Sequence, residues 1–188
     1  LYAVNKQTGV EFDDPIHRLY LLNKDSSKIV YISEYNNQNT YRTRNNAWPG
    51  NDRENGTIYS NHKNINTVRH SIYSFLNGDY EKSYSYWDEN AEVNDINLSE
   101  PITLSDAKKA NEELMKNFTF DAADEVGYPD YLEYDLWESK DVLSWWKFRM
   151  TRKSDGKKIV LPIHYIHGFD NEGKIINVTM YFNASLMQ

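Results

Sequence analysis

The chain has no cysteine, which excludes disulfide bonds, thiolate catalysis and cysteine-ligated zinc or iron–sulfur centres. It also lacks an excess of positive charge: the formal net charge is −7 and no basic stripe is visible, so we expect no nucleic-acid partner. No run approaches the ~20 apolar residues that cross a bilayer, so we expect no membrane span. Histidine pairs at metal-ligand spacing beside a carboxylate are missing too, so we expect neither a metal nor another cofactor.

Aromatic residues are abundant, at 14% of the 188 residues with 15 tyrosines and 5 tryptophans. This content predicts a core built from large flat side chains, or a pocket lined with them. The length fits one domain, or one domain with a fragment of another. Richness in asparagine and tyrosine without cysteine favours a periplasmic or secreted setting in a bacterium.

Two segments of the chain repeat each other. Residues 1–25 align with residues 148–172 at a constant offset, and residues 28–37 align with 174–183 after a one-residue slip. The repeat predicts three strands of a first copy over residues 1–37, a linker over 38–59 and a complete second copy over 60–188. The helical stretch 64–118 has no counterpart before residue 1. Three explanations of the repeat stay open. The first copy was cut away, its tail was kept as an appendage, or the two segments are alike only because all β-meanders are alike.

Hydrophobic periodicity and turn residues predict an α+β fold with helices on one face of a curved sheet. We expect three helices. The first begins at Asn66 or Thr67 and ends at Asn77, the second covers about 80–87, and the third begins at Thr103 or Ser105 and ends at Phe118. Strands are predicted over 1–8, 12–22, 28–35, 91–96, 130–137, 142–152, 158–169 and 174–183.

Three phrases in this order carry a family resemblance: FLNGD at 75–79, YWDENAEV at 86–93 and FDNEGKI at 169–175. They resemble the nuclear-transport-factor-2-like superfamily, and within it SnoaL-like polyketide cyclases and ketosteroid isomerases. The resemblance implies a cone-like roll, in which a strongly curved antiparallel-rich sheet wraps around an N-terminal helix and encloses a ligand pocket. Many members of the superfamily are dimers; some are enzymes, and others only bind or scaffold.

The isomerase resemblance places a general-base aspartate at Asp95, and the alternative is an exposed residue that ends a strand. The positions of the isomerase's oxyanion donors are occupied by Ser71 and Pro162, which argues against steroid isomerisation. His164 is two residues beyond Pro162 and would share its pocket side, where it could pair with Asp95 as acid and base. The alternative is a core histidine bonded to a tyrosine hydroxyl or a backbone carbonyl. His167 has the opposite parity and should face away.

Aromatic residues are expected to form the pocket wall, and the alternative for each is plain core. We assign ligand contacts to Tyr73, Trp87, Trp146, Phe148 and Phe182. On strand 142–152, alternation places Val142, Trp146, Phe148 and Met150 inside. Trp145 is then outside among cations, which suggests a dimer interface or a docking site for residues 1–37.

The sequence therefore predicts a domain that binds a small apolar or aromatic molecule. Two alternatives stay open. One is a cofactor-free acid–base enzyme (a cyclase, isomerase or dehydratase) that uses His164 and Asp95. The other is a dimerisation module. Asn183 stands where many SnoaL-like sequences have an aspartate, which argues against catalysis because an amide cannot act as a base.

Overall fold

The computed structural model describes residues 2–4, 9, 11–13, 15–35, 56–135 and 138–188, apart from the side chains of Ala3 and Phe12. The chain divides into two compact units, residues 1–52 and 53–188. Within the described ranges, no helix has the length and apolar character needed to cross a membrane.

The first unit contains two short antiparallel ladders. Strand β1 (Tyr2–Val4) pairs with β2 (Glu11–Asp13), and β3 (His17–Leu22) pairs with β4 (Ile29–Tyr35). The predicted strand over 12–22 is interrupted near Pro15, a residue that cannot donate a ladder hydrogen bond. The predicted strand residues 5–8, and the predicted linker as far as residue 55, lie outside the described residues.

The second unit contains three helices and eight strands among the residues that the structure describes. The helices are α1 (Lys63–Leu76), α2 (Tyr80–Ser85) and α3 (Leu104–Asn117). A short 3-10 helix (Ala184–Met187) follows the last strand. The strands are β5 (Thr57–Tyr59), β6 (Trp87–Asp95), β7 (Ile102–Thr103), β8 (Phe118–Glu125), β9 (Asp130–Tyr134), β10 (Ser139–Arg152), β11 (Lys158–Phe169) and β12 (Ile175–Phe182).

One sheet joins all eight strands of this unit in the order β5-β9-β10-β11-β12-β6-β7, with β8 paired to the second half of β10. Every pairing is antiparallel except that of β12 with β6. The predicted α+β class and antiparallel-rich sheet are confirmed. Strand β8 was not predicted, since its second half, Asp121–Glu125, is acidic and alanine-rich and has a low strand propensity.

Local signals set the helix ends. Helix α1 begins one turn earlier than predicted, because the Nδ1 atom of His62 accepts a hydrogen bond from the Asn64 amide at 3.2 Å. Its end is as predicted: Asn77 caps it and Gly78 takes the left-handed conformation, with φ at +79°. Helix α3 begins where the Thr103 hydroxyl accepts from the Asp106 amide at 3.2 Å.

Strand β10 has one buried face and one exposed face, as its alternation predicts. Val142, Trp146 and Met150 are at most 1% exposed and pack with helix α1 residues in the main core. Trp145 and Lys147 point the other way and are exposed. The helices therefore cover the inner face of the sheet, where the large apolar side chains of β10 lie.

The pairing of β10 with β11 decides which residues of β11 face the helices. Directly paired residues of an antiparallel ladder lie on the same face, and Trp146 pairs with Ile163 while Lys147 pairs with Pro162. Ile163 therefore faces inward, and Pro162 and His164 face outward. The prediction that Pro162 and His164 share the pocket side is wrong, because counting along one strand does not fix its register against the next.

Adjacent isoleucines on β12 test this assignment of faces. Ile175 is fully buried in the core, whereas Ile176 is 38% exposed on the opposite face. We expect Ile175→Ala to lower the free energy of unfolding by about 2–5 kcal/mol, because it leaves a cavity. Ile176→Ala should cost less than about 1 kcal/mol. Urea unfolding followed by tryptophan fluorescence measures both, and equal losses would contradict the assigned faces.

Candidate functional site

A cavity of about 410 Å³ lies between the inner face of the sheet and the three helices of the second unit. Helix α1 contributes Ile72 and Phe75, and helix α3 contributes Leu104 and Leu114. The sheet side is also mainly apolar and includes Phe120, Phe148, Leu161, Ile163 and Val178. A space of this size and lining suits a small organic molecule.

Four of the seven predicted site residues line this cavity, namely Asp95, Trp87, Phe148 and Phe182. Tyr73, Trp146 and His164 do not line it. Trp146 is 1% exposed and belongs to the core, where its ring meets the edge of the Tyr73 ring at 5.7 Å between centroids. Tyr73 and Trp146 therefore do not form part of the cavity wall, contrary to the prediction.

His164 lies on the outer face of the sheet. Its ring stacks on Trp145 at 4.7 Å between centroids, and its Nδ1 lies 3.1 Å from the Ser144 carbonyl oxygen. The contact with the Ser144 carbonyl fits the alternative given for His164, a histidine bonded to a backbone carbonyl. Because Asp95 lines the cavity from the inner face, the expected Asp95–His164 pair is not assembled.

His167 occupies the inner position instead, contrary to the prediction that it faces away. It is 3% exposed, and its ring centroid lies 5.2 Å from that of Tyr165 and 6.0 Å from that of Trp87. Its Nδ1 is buried and has no hydrogen-bond partner among the described residues. Buried atoms elsewhere, such as Ser144 Oγ and Trp146 Nε1, also have no partner among the described residues, so this nitrogen does not by itself indicate a ligand.

The electrostatic environment fixes the protonation of two groups in the cavity wall. Burial, with a smaller contribution from the charge of His164, lowers the pKa of His167 to about 3, so its imidazole is neutral at pH 7. Burial, together with the nearby Asp95 carboxylate, raises the pKa of the Tyr165 hydroxyl. Tyr165 therefore stays protonated and can donate a hydrogen bond to a guest.

Asp95 is held at the end of β6, opposite Met180 of β12. Its Oδ1 accepts two hydrogen bonds from Asn97, one from the backbone amide and one from Nδ2, both at 2.8 Å. These bonds orient the carboxylate, and a carboxylate can accept further hydrogen bonds from a ligand.

Hydrogen bonds between α1 and α2 hold Trp87 in the wall. The Trp87 indole donates to the Ser71 hydroxyl at 3.0 Å, which donates to the Ser83 carbonyl at 3.1 Å. The Ser83 hydroxyl donates back to the Ser71 carbonyl at 2.8 Å. Ser71, the position of the isomerase tyrosine in the family resemblance, is thus engaged in fixing the wall.

A metal site is not formed by the described part of the chain, where no three His, Asp or Glu side chains cluster as ligands. On the sheet side of the cavity the ionisable side chains are those of Asp95, Tyr165 and His167, which we call the polar cluster. Sequence reasoning found Asp95 and missed the other two.

The burial of His167 makes stability depend on pH. The unfolded imidazole has a pKa near 6.5, so below that pH the unfolded chain binds a proton that the folded chain does not. The free energy of unfolding should therefore fall as the pH drops from about 6.5, by up to about 1.4 kcal/mol per pH unit from this group.

Urea unfolding of the wild type and of His167→Leu between pH 7.5 and 4.5 measures this contribution as a difference in slope. We expect the slope below about pH 6 to be shallower by close to one proton in His167→Leu. His70→Gln, at an exposed histidine, is the control and should keep the slope of the wild type. Identical slopes in all three proteins would contradict a buried neutral imidazole.

Neither a family model nor a curated protein matches the sequence. Solved structures do resemble it. A protein from Pseudomonas putida KT2440, provisionally named a polyketide cyclase, is 16% identical, and the match covers 66% of this chain and 94% of that one with a TM-score of 0.53.

Two further solved structures resemble the chain to the same degree. A protein from Xanthomonas campestris pv. campestris, with the same provisional name, is 13% identical over 68% of this chain and 95% of that one, with a TM-score of 0.51. An isomerase from Bacillus subtilis, also provisionally named, is 16% identical over 66% and 89% of the two chains, with a TM-score of 0.52.

At these identities the likeness shows the fold, and nearly the whole length of each neighbour is covered. The antiparallel-rich sheet with helices on its inner face is also the arrangement that the family resemblance implies. The chain therefore contains a domain with the nuclear-transport-factor-2-like cone fold.

Proposed function

We propose that the second unit binds a small, mainly apolar or aromatic molecule in the cavity. The observation that carries this proposal is the cavity of about 410 Å³, whose mainly apolar wall includes the polar side chains of Asp95, Tyr165 and His167. Apolar walls of this kind supply affinity for a small molecule, and a few polar groups among them fix its orientation.

The walls determine the chemistry of the ligand. Rings and aliphatic side chains offer contact to an apolar body, and each Å² removed from water contributes roughly 25 cal/mol. The polar cluster offers a hydroxyl donor at Tyr165, a neutral imidazole at His167 and a carboxylate at Asp95. These groups suit a ligand that carries a hydroxyl or carbonyl group on an otherwise apolar body.

Acid–base catalysis is the second candidate, and the names of the structural neighbours include cyclases and an isomerase. The geometry favours it less. His164 is on the outer face, and a histidine with a pKa of about 3 is a poor proton acceptor at pH 7. Asp95 is then the remaining base and Tyr165 the hydrogen-bond donor, so Asp95→Asn would abolish turnover of any substrate found.

Titration with N-phenyl-1-naphthylamine, a neutral probe that fluoresces in apolar surroundings, tests ligand binding. We expect saturable binding of one probe per chain. Ala110 lies on the rim of the cavity, so Ala110→Trp should weaken binding by about tenfold or more, which is about 1.4 kcal/mol.

The matched control is Ser105→Trp, because Ser105 is exposed on the same helix and does not line the cavity. It should leave the affinity within about twofold of the wild type. Binding that fails to saturate, or that both variants weaken equally, would contradict the proposal.

We also propose that two copies of the chain pair through the outer face of the sheet. Trp145 is 37% exposed and stacks on His164, which stacks on Tyr181 at 5.7 Å between centroids. Such an exposed row of rings is typical of a protein interface.

Sedimentation equilibrium tests this pairing. Trp145→Glu would bury a charge in the interface, so it should raise the dimer dissociation constant by about tenfold or more. Tyr128→Glu introduces the same charge at a residue that is 85% exposed in a loop, and should leave the constant unchanged. A wild type that stays monomeric at every concentration would contradict the proposal.

A further inference from the structure

The strands of the first unit pair in the same register as the last strands of the second. Tyr2 pairs with Asp13, and their counterparts in the sequence repeat, Arg149 and Val160, are also paired. His17 pairs with Tyr35, as His164 pairs with Tyr181. Strands β1 and β2 form three residue pairs, and β3 and β4 form six. In every case the counterparts of the two residues are also paired in the second unit.

Two irregular features of the backbone coincide as well. The register shift between Leu21 and Leu22 corresponds to the shift between Gly168 and Phe169. One glycine between the first two strands also matches: Gly9 has φ at +70° and its counterpart Gly156 has φ at +73°. A β-bulge is a specific feature of a strand pair, so unrelated meanders would not be expected to share it together with the register.

Both faces of the β3–β4 ladder expose apolar side chains. On one face Leu19, Leu21 and Tyr31 are 61%, 60% and 62% exposed. On the other face Tyr20, Leu22, Ile29 and Ile32 are 51%, 45%, 53% and 53% exposed. Their counterparts in the second unit are His167, Phe169, Ile175 and Val178, which are 3%, 4%, 0% and 2% exposed beneath the helices. A two-stranded ladder is not stable by itself in water, so this face needs a partner.

We propose that residues 2–35 are the last three strands of a second domain of the same fold, and that this apolar face docks the rest of that domain. In the second unit, the helices and strands that complete the fold lie in residues 57–135 and precede β10 in the chain. The completing segment therefore lies N-terminal to residue 1, and it contributes helices equivalent to α1 and α3.

The completed domain would not duplicate the polar cluster. At the counterparts of Tyr165 and Met180 it has Arg18 and Glu34, which form an ion pair at 2.8 Å. Tyr20 takes the place of His167. The inference therefore concerns the domain organisation of the protein and does not depend on the proposed ligand.

The experiment compares the 188-residue chain with a longer polypeptide translated from the same gene with its upstream coding sequence. Hydrogen exchange should show amides of residues 17–35 exchanging rapidly in the short chain and protected by at least about tenfold in the long one. A gene without such an upstream segment, or equal exchange in the two polypeptides, would overturn the proposal.

Two neighbouring substitutions on β4 identify the docking face in the long polypeptide. Tyr31 is 62% exposed and corresponds to exposed Asn177, whereas Ile32 corresponds to buried Val178. Ile32→Asp should abolish the protection of residues 17–35 or lower the melting temperature of that domain by several degrees, while Tyr31→Asp should do neither. Equal effects of the two changes would overturn the proposal. The proposal would also be overturned if the short chain formed a dimer and Ile32→Asp abolished that dimer, because a second copy would then cover the face.

Discussion

The second unit depends on the register between β10 and β11. That register turns Leu161, Ile163, Tyr165 and His167 toward the helices and leaves Pro162 and His164 outside. A slip by one residue would exchange the two sets, because side chains alternate between the faces of a strand. The apolar walls of the cavity and its polar cluster are therefore consequences of one pairing.

Much of the fold could be predicted from the sequence where hydrophobicity alternates clearly. Strand β10 alternates large apolar residues with cations, so its inner face was predicted correctly, and the bounds of β11 agree with the prediction. The face of β11 could not be predicted, because apolar residues such as Val160, Leu161 and Ile163 occupy both parities of that strand. Only the neighbouring strand settles which set lies inside.

The candidate site was predictable for the residues whose position follows from the fold, such as Trp87, Phe148 and Asp95. For the other predicted residues, tertiary packing determined whether the side chain lines the cavity. Trp146 has the expected parity, but the core packed against α1 buries it away from the cavity. His167 was missed because its place in the cavity wall depends on the register of β11 against β10, which spacing along the chain does not reveal.

Xenon-pressurised crystals test most directly whether the helices and the sheet enclose a space that accepts an apolar guest, because xenon occupies apolar cavities and leaves packed cores empty. The structure predicts an anomalous xenon peak in contact with Phe148, Leu161 and Trp87. Diffraction that shows no xenon there, with side chains of α3 filling the space against the sheet, would contradict the account.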